Sequence, residues 1–528
     1  MPEASEPRAR NPAIALALAG ALAISGCSGA TDAESAGPAA AFVGGAAADE
    51  PRAALVARDI LAAGGSAADA AAAAYFALGV TLPSRASLGG GGACLVFDPR
   101  LIRVEAVDFV APPGDVIPVP MNARGFFTMH GRYGRLRWEQ VVAPAEAMAR
   151  FGVPVSRALA RDLATDGAGI ESRPDLARLF RPRGAPLAEG DLIVQPALAD
   201  TLGMLRARGA REAFEGGGGA AFVAAARAAG ASFTPADLAA AVPQFRAPVS
   251  VVHGDLRVAF APPSTAGGVL QAQMFQLLAP RWSTLADRSG LLVDAQLRAL
   301  GDSREWSASG LGDFATLAQA VSAGRMAALR MADLPAPGAW GAAEAPGATA
   351  FVTADRDGGV VACAVAAGGA FGSGRVAEGV ILAAPTPAAG GGPTLGLMVA
   401  VRSLRGAALA ARAESGQVVF AGAAGGGVGA SAGLLATAFE AMAGRMDGPS
   451  GISAPRAAPA ADGSGLVAEP GAMSTPVTGV TTSWAIRSVD TLGQVNAIGC
   501  PGGLATASST CRLRTDPRGH GLAVGGVR

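Results

Sequence analysis

The sequence predicts a layered fold that mixes helices with strands, of the α/β or α+β class. Three observations carry that reading. Strand-like and helix-like runs come in clusters along the chain, as where "APVSVVHGDLRVAFAPP" is followed by "STAGGVLQAQMFQLLA". Hydrophobic residues make up 50% of the 528 residues and charged ones 16%, a balance that fills a core and argues against a disordered chain. Glycines gather where a strand begins or gives way to a helix, at Gly89 to Gly92 and again at Gly425 to Gly427. The length allows one large core or two to three ordinary ones.

Taken in order, "AALVARDILAAGGSAADAAAAAYFALGV" reads as two helices broken at Gly64 and Gly65. The second is so rich in alanine that it must pack closely against its neighbours. Gly89 to Gly92 then open a strand-like "ACLVFD"; the run lacks the lysine and hydroxyl residue of a phosphate-binding loop. "RWEQVVAPAEAMARFGVPVSRALARDLA" reads as helix, turn and helix, punctuated by Gly152 and Pro154. "TPADLAAAV" places Thr234 as N-cap and Pro235 at the first helical position. Two alternating strands follow about a His-Gly-Asp turn, then a buried helix in "STAGGVLQAQMFQLLA". Residues 334 to 347, "LPAPGAWGAAEAPG", have a linker's composition, and 444 to 475 that of a loop. Between them lie the strand-like "AFVTAD" and "VVACAVA", then strand, glycine turn and helix in "GQVVFAGAAGGGVGASAGLLATAFEAMA".

Charge excludes some partners. All 42 basic residues are arginine, and 42 acidic residues balance them to a net charge of zero. No basic footprint for nucleic acid results, and no attraction to anionic membranes. The N-terminus is more specific. Arginines in "MPEASEPRAR" precede the short apolar run "NPAIALALAGALAI", and "ISGC" closes it at Cys27. That is the order of a secretory signal, and the run is short for a bilayer span. Ser25 and Gly26 before Cys27 resemble a bacterial lipobox. The resemblance predicts a signal over 1–26, lipid modification of Cys27, a polar tether over 27–41, and an exported protein held at the membrane, periplasmic or at the cell surface. An ordinary signal or short anchor with an incidental cysteine is the other reading of these residues.

Export bears on the remaining cysteines. Cys500 and Cys511 flank a turn-rich loop and can form a disulfide in an oxidising compartment. Cys94 and Cys363 lie in apolar runs and read as buried, inert thiols. With no CxxC pair, and with His130, His253 and His520 far apart in sequence, neither a metal site nor a cofactor is expected.

Several segments, in order, resemble one family, the gamma-glutamyltransferases. "ILAAGGSAADAAAAAYFALGV" with the later "LGGGGACLVFD" resembles its glycine-rich signature, with Gly64, Gly65, Asp69, Pro83 and Gly89 to Gly92 in place. "VVAPAEAMARFGVPVS", "FEGG", "FTPADLAA", "FAPPSTAGGVLQAQMFQLL", "DFATLAQ", "FGSG", "AGAAGGG" and "DPRGHGLAVGG" continue the series over roughly residues 42 to 528. The resemblance implies an N-terminal-nucleophile hydrolase fold, an αββα sandwich of two sheets between helical layers. It also implies a region equivalent to the family's large subunit over 42–347 and one equivalent to its small subunit over 348–528. In that family the precursor cuts itself before a threonine. The freed hydroxyl, with its own α-amine as base, attacks a γ-glutamyl carbonyl, because a threonine is a poor nucleophile until a base takes its proton.

At the site this chain departs from the family. Aligning "DRDG" and "FGSG" without gaps puts the family's nucleophile on Ala348, its second threonine on Thr349 and its histidine on Ala350. Shifting by one makes Thr349 the nucleophile but puts Phe351 on the histidine and loses the Asp-x-Asp-Gly match. Val110 stands where the family has a carboxylate-binding arginine, and Gly368 or Gly369 where it has an asparagine. "VILAAPTPAAGG" offers no carboxylate, and Gly396 and Leu397 replace a serine pair. A charged amino acid buried without such partners costs several kcal/mol per charge, so glutamyl specificity should be lost. Gly425 and Gly426 match glycines whose N–H groups form the family's oxyanion hole. They serve equally as a tight strand-to-helix turn.

The expected function is that of a gamma-glutamyltransferase-like lipoprotein, catalytically inactive or strongly altered, with a binding or structural role. Its partners would be the membrane, through Cys27, and an unidentified small molecule or protein. The alternative is an active transferase or hydrolase that uses a self-processed Thr349 on glutathione-like γ-glutamyl amides or a less polar amide. A third reading is an interaction scaffold without a ligand.

Overall fold

The structure is a computed structural model and describes residues 42–111, 117–167, 169–214, 216–283, 288–308, 314–335, 347–385, 395–404, 415–448, 451–460, 462–473, 484–506 and 508–527. The predicted signal, Cys27 and the tether lie outside the described residues, as does most of the 334–347 linker.

Two antiparallel sheets form the centre. Their strands are β1 (Phe42–Ala48), β2 (Gly91–Asp98), β3 (Arg103–Phe109), β4 (Gln244–Arg246), β5 (Val249–His253), β6 (Leu256–Phe260), β7 (Ala348–Asp355), β8 (Val360–Ala366), β9 (Gly396–Leu404), β10 (Ser415–Gly425), β11 (Gln494–Gly499), β12 (Arg512–Thr515) and β13 (Leu522–Val527). The first sheet runs β13-β1-β7-β8-β2-β3-β4 and the second β12-β11-β10-β9-β6-β5. The hairpins read from sequence are present: β5 and β6 turn at His253 to Leu256, and β7 and β8 turn through the "DRDG" segment.

The alternation of each strand sorts side chains between layers. In β7, Ala348, Ala350, Val352 and Ala354 join Ala47, Ala93, Ala362, Ala421 and Ala423 in the core between the sheets. Small residues dominate there, which suits two sheets meeting face to face. Phe351 points the other way, into the core beneath the helices. That outer layer includes α1 (Pro51–Ala62) and α2 (Ala67–Thr81). Every residue of α2 is buried, as its alanine content requires, and Ser66 with Asp69 closes its N-terminus in a capping box. A third helix, α3 (Arg157–Thr165), is capped by Ser156. Against the second sheet lie α4 (Ala266–Leu278), α5 (Arg288–Ala308) and α6 (Gly427–Met442), with Phe275 and Phe439 stacked at 5.0 Å. The architecture is the αββα sandwich that the resemblance implied.

Two expectations need correction. Residues 444–475 are not all loop: Ala457–Pro459 pairs with Gly465–Ala468, which pairs in turn with Ala485–Ser488. Local Pro/Gly composition is overridden there because Leu466 and Val467 find buried neighbours. Cys94 and Cys363 are buried but are not free thiols. They face each other directly in the β2–β8 register, Cα atoms 4.1 Å apart, and are joined as a disulfide. Partners 269 residues apart are invisible to local reading. Cys500 and Cys511 are bonded as expected.

Candidate active-site cleft

The start of β7 meets the end of β10 across the inter-sheet space. A Cβ on Gly425 would stand 3.2 Å from the Ala348 carbonyl oxygen and 3.4 Å from the Thr349 nitrogen, so the two backbones approach closely. Gly426 follows with φ 107°, the left-handed region that glycine tolerates, and caps α6. A Cβ on Gly426 would lie 2.7 Å from the Gly493 Cα, so this corner is closed on both sides. On the other flank, Gly347 packs against the carbonyl of Gly369, and the Ala367 N–H donates to the Gly347 carbonyl at 3.0 Å. Gly396 lies opposite Ala424 in the β9–β10 register. Val110 instead packs against the inter-sheet core as an apolar side chain.

A cavity of about 510 Å³ opens at this junction, walled by Ala348, Gly425, Gly426, Gly493, Gln494, Arg85, Asp162 and neighbouring residues. Ala348 faces it with a methyl group. Thr349, one position on, is fully buried, and its Oγ1 donates to Asp49 Oδ2 at 2.7 Å. The one-residue step along a strand turns a side chain to the opposite face. The threonine nearest the junction therefore does not line the cavity.

Asp49, at the end of β1, collects three donors: the Thr349 hydroxyl, the Ala350 N–H at 3.2 Å and Asn496 Nδ2 at 2.6 Å. Asn496 Nδ2 also donates to the Ala350 carbonyl at 2.9 Å. Burial pushes the Asp49 carboxyl above the usual carboxylate range, against the opposing pull of the Arg85 charge and of these donors. Arg85 is itself committed. Its Nε and Nη2 bind Asp162 at 2.8 and 2.5 Å, and Nη1 donates to Gln494 Oε1 at 3.1 Å. Asp162, on α3, also accepts from Ser84 Oγ at 2.6 Å.

The 492–495 segment behind the glycine corner is clamped by a buried ion cluster. Arg456 Nη2 meets Asp516 Oδ2 at 2.5 Å, while Arg518 meets Glu469 at 2.6 Å and Asp516 at 3.1 Å. Asp516 and Glu469 accept from the N–H groups of Val495 and Leu492, and Arg456 donates to the carbonyls of Leu492 and Gly493.

Of the residues singled out from sequence, Ala348, Thr349, Gly425 and Gly426 come together. Gly347 brings Gly369 to the same corner, and Gly396 adjoins Ala424. Cys27 lies outside the described residues, and 386–391 of "VILAAPTPAAGG" do too. Asp49, Asn496, Arg85 and Asp162 were not anticipated. Asp49 carries the one usable signal, an acid between a strand and a proline-led helix. No group of three or more His, Cys, Asp or Glu among the described residues is placed to hold a metal ion.

The model of the Gamma-glutamyltranspeptidase family matches residues 53–112 and 112–385. Glutathione hydrolase 7 of Homo sapiens is 31% identical over 252 residues, which are 43% of this chain and 37% of that protein. The glutathione hydrolase proenzyme of Escherichia coli is 28% identical over 350 residues, 58% of this chain and 60% of that one. The chain thus spans about two-fifths to three-fifths of the length of these curated relatives. Among solved structures, the cephalosporin acylase of Bacillus halodurans superposes with a TM-score of 0.73 at 20% identity, covering 92% of this chain and 96% of that one.

Proposed function

This chain belongs to the gamma-glutamyltranspeptidase family, and from that premise we propose that it is an exported lipoprotein whose cleft binds, rather than turns over, a small ligand less polar than a γ-glutamyl amino acid. The observation that carries the reading is the pair Ala348 and Thr349. The side chain at the cleft is a methyl group, and the adjacent hydroxyl is spent on Asp49 inside the protein. A nucleophile needs both a reachable substrate carbonyl and a base, and a fully buried Thr349 has no access to the cavity. The charged groups expected to orient a zwitterion are replaced by Val110, Gly396 and Leu397, and Arg85 is neutralised by Asp162. What remains is a cavity beside the Gly425–Gly426 corner, which suits a less polar ligand.

Intact mass under reducing conditions, with N-terminal sequencing, tests this reading. We expect one chain with no new terminus at residues 347–349 and no product released from a γ-glutamyl amide. A fragment beginning at Thr349 that releases product overturns it in favour of an active transferase or hydrolase. For the anchor, Cys27→Ala should move the protein out of the membrane fraction; unchanged fractionation counts against lipid modification.

A further inference from the structure

The disulfide between Cys94 and Cys363 joins the two halves of the chain that lie on either side of the 347–349 junction. Cys94 sits in β2, within the large-subunit equivalent, and Cys363 in β8, within the small-subunit equivalent. The other bridge, Cys500–Cys511, lies wholly on the carboxyl side of the junction and cannot do this. β8 is hydrogen-bonded to β2 on one edge and to β7, which begins at the junction, on the other. Cys363 therefore faces Cys94 across one strand pair and Phe351 across the next.

We propose that Cys94–Cys363 is a covalent strap across the junction, which keeps the molecule a single covalent unit whether or not the backbone is cut there. Both cysteines are fully buried and belong to the core beneath the helical layer that includes α2. A dithiol reductant must deliver two electrons and two protons to this bond to yield two thiols, and the packed helices deny it an approach. Cys511 is only half-buried, so the second bridge is the one that reduces in the native protein. The strap stands independently of the reading of the cleft, because it acts on a cut and an uncut chain alike.

Peptide mapping of protein denatured without reductant, in the presence of an alkylating agent, should find Cys94 and Cys363 unmodified and their peptides linked. In folded protein treated with dithiothreitol, alkylation should reach Cys500 and Cys511 well before Cys94 and Cys363. A protease recognition sequence introduced within residues 336–346 should give, once cut, one band on a non-reducing denaturing gel and two with reductant. The Cys94→Ser/Cys363→Ser double variant, cut likewise, should give two bands without reductant. Alkylation of Cys94 or Cys363 before reduction, or separation of the cut wild-type chain without reductant, overturns the proposal. The mapping decides even where the double variant does not fold. Wild-type protein without the introduced site, run with reductant, reports cutting at the junction itself, so failure of the strap and failure of the binding reading are read separately.

Discussion

At one wall of the cleft β7 presents only Ala348, while at the other β10 turns through Gly425 and Gly426 into α6 over a segment fixed by the buried Arg456, Asp516 and Glu469 and the half-buried Arg518. The first wall would act through a side chain and the second through its backbone. An alanine at position 348 costs the fold nothing, since it fits the alanine-rich layer between the sheets. The glycine corner has no such freedom, because Gly425 packs against the Ala348 backbone and Gly426 against that of Gly493. Backbone packing therefore fixes the geometry of the glycine wall whatever side chain stands at position 348.

Four substitutions in the two walls and their supports sharpen the contrast. The largest effect should come from Asp516→Ala, which leaves the buried Arg456 and the half-buried Arg518 with one fewer partner. Breaking a buried ion cluster costs about 3–5 kcal/mol, measurable as a lowered midpoint in guanidinium unfolding. An effect near zero would mean that the corner does not depend on the cluster. Gly426→Ala comes next, at about 1–3 kcal/mol, because alanine must adopt a strained φ and its Cβ meets Gly493. Gly425→Ala should cost less, since its contact with the Ala348 carbonyl is looser at 3.2 Å. Equal losses at the two positions would break the argument that Gly426 holds the corner.

On the other wall, Thr349→Val should cost about 1–2 kcal/mol, the usual price of a lost buried hydrogen bond, because Asp49 keeps the Ala350 and Asn496 donors. It should leave binding in the cleft unchanged. A loss of turnover by several orders of magnitude in this variant would instead identify Thr349 as a nucleophile.

The sequence made the glycine corner legible because all its signals are local: an apolar strand, three glycines and an alanine-rich helix within one stretch. The hairpins at His253 and Asp355 were legible for the same reason. The facing of residues 348 and 349 hung on a single-residue register, and strand alternation makes such a shift reverse every side chain. In the structure Ala348 is among the residues lining the cleft, while the Thr349 hydroxyl is turned to Asp49. Partners brought together by topology left no local trace. Cys94 with Cys363, Thr349 with Asp49, and Arg85 with Asp162 are separated by 269, 300 and 77 residues.

The smallest expected effect concerns pH. Asp49 has a folded pKa above its unfolded value of about 3.9, chiefly because it is buried. The native state therefore holds this proton more tightly than the unfolded chain does. Its contribution to stability is fully present below about pH 4 and is lost as pH rises through the folded value. Asp49→Asn removes the titration while keeping an oxygen for Thr349 and Ala350, and Asn496 Oδ1, which has no hydrogen-bond partner, can accept from the new amide. The stability of wild type relative to Asp49→Asn, followed by urea unfolding from pH 3 upward, should accordingly fall as pH rises above about 4. A difference that is flat or that grows with pH would mean that Asp49 is ionised in the native state at little cost, with Arg85 and its donors outweighing burial.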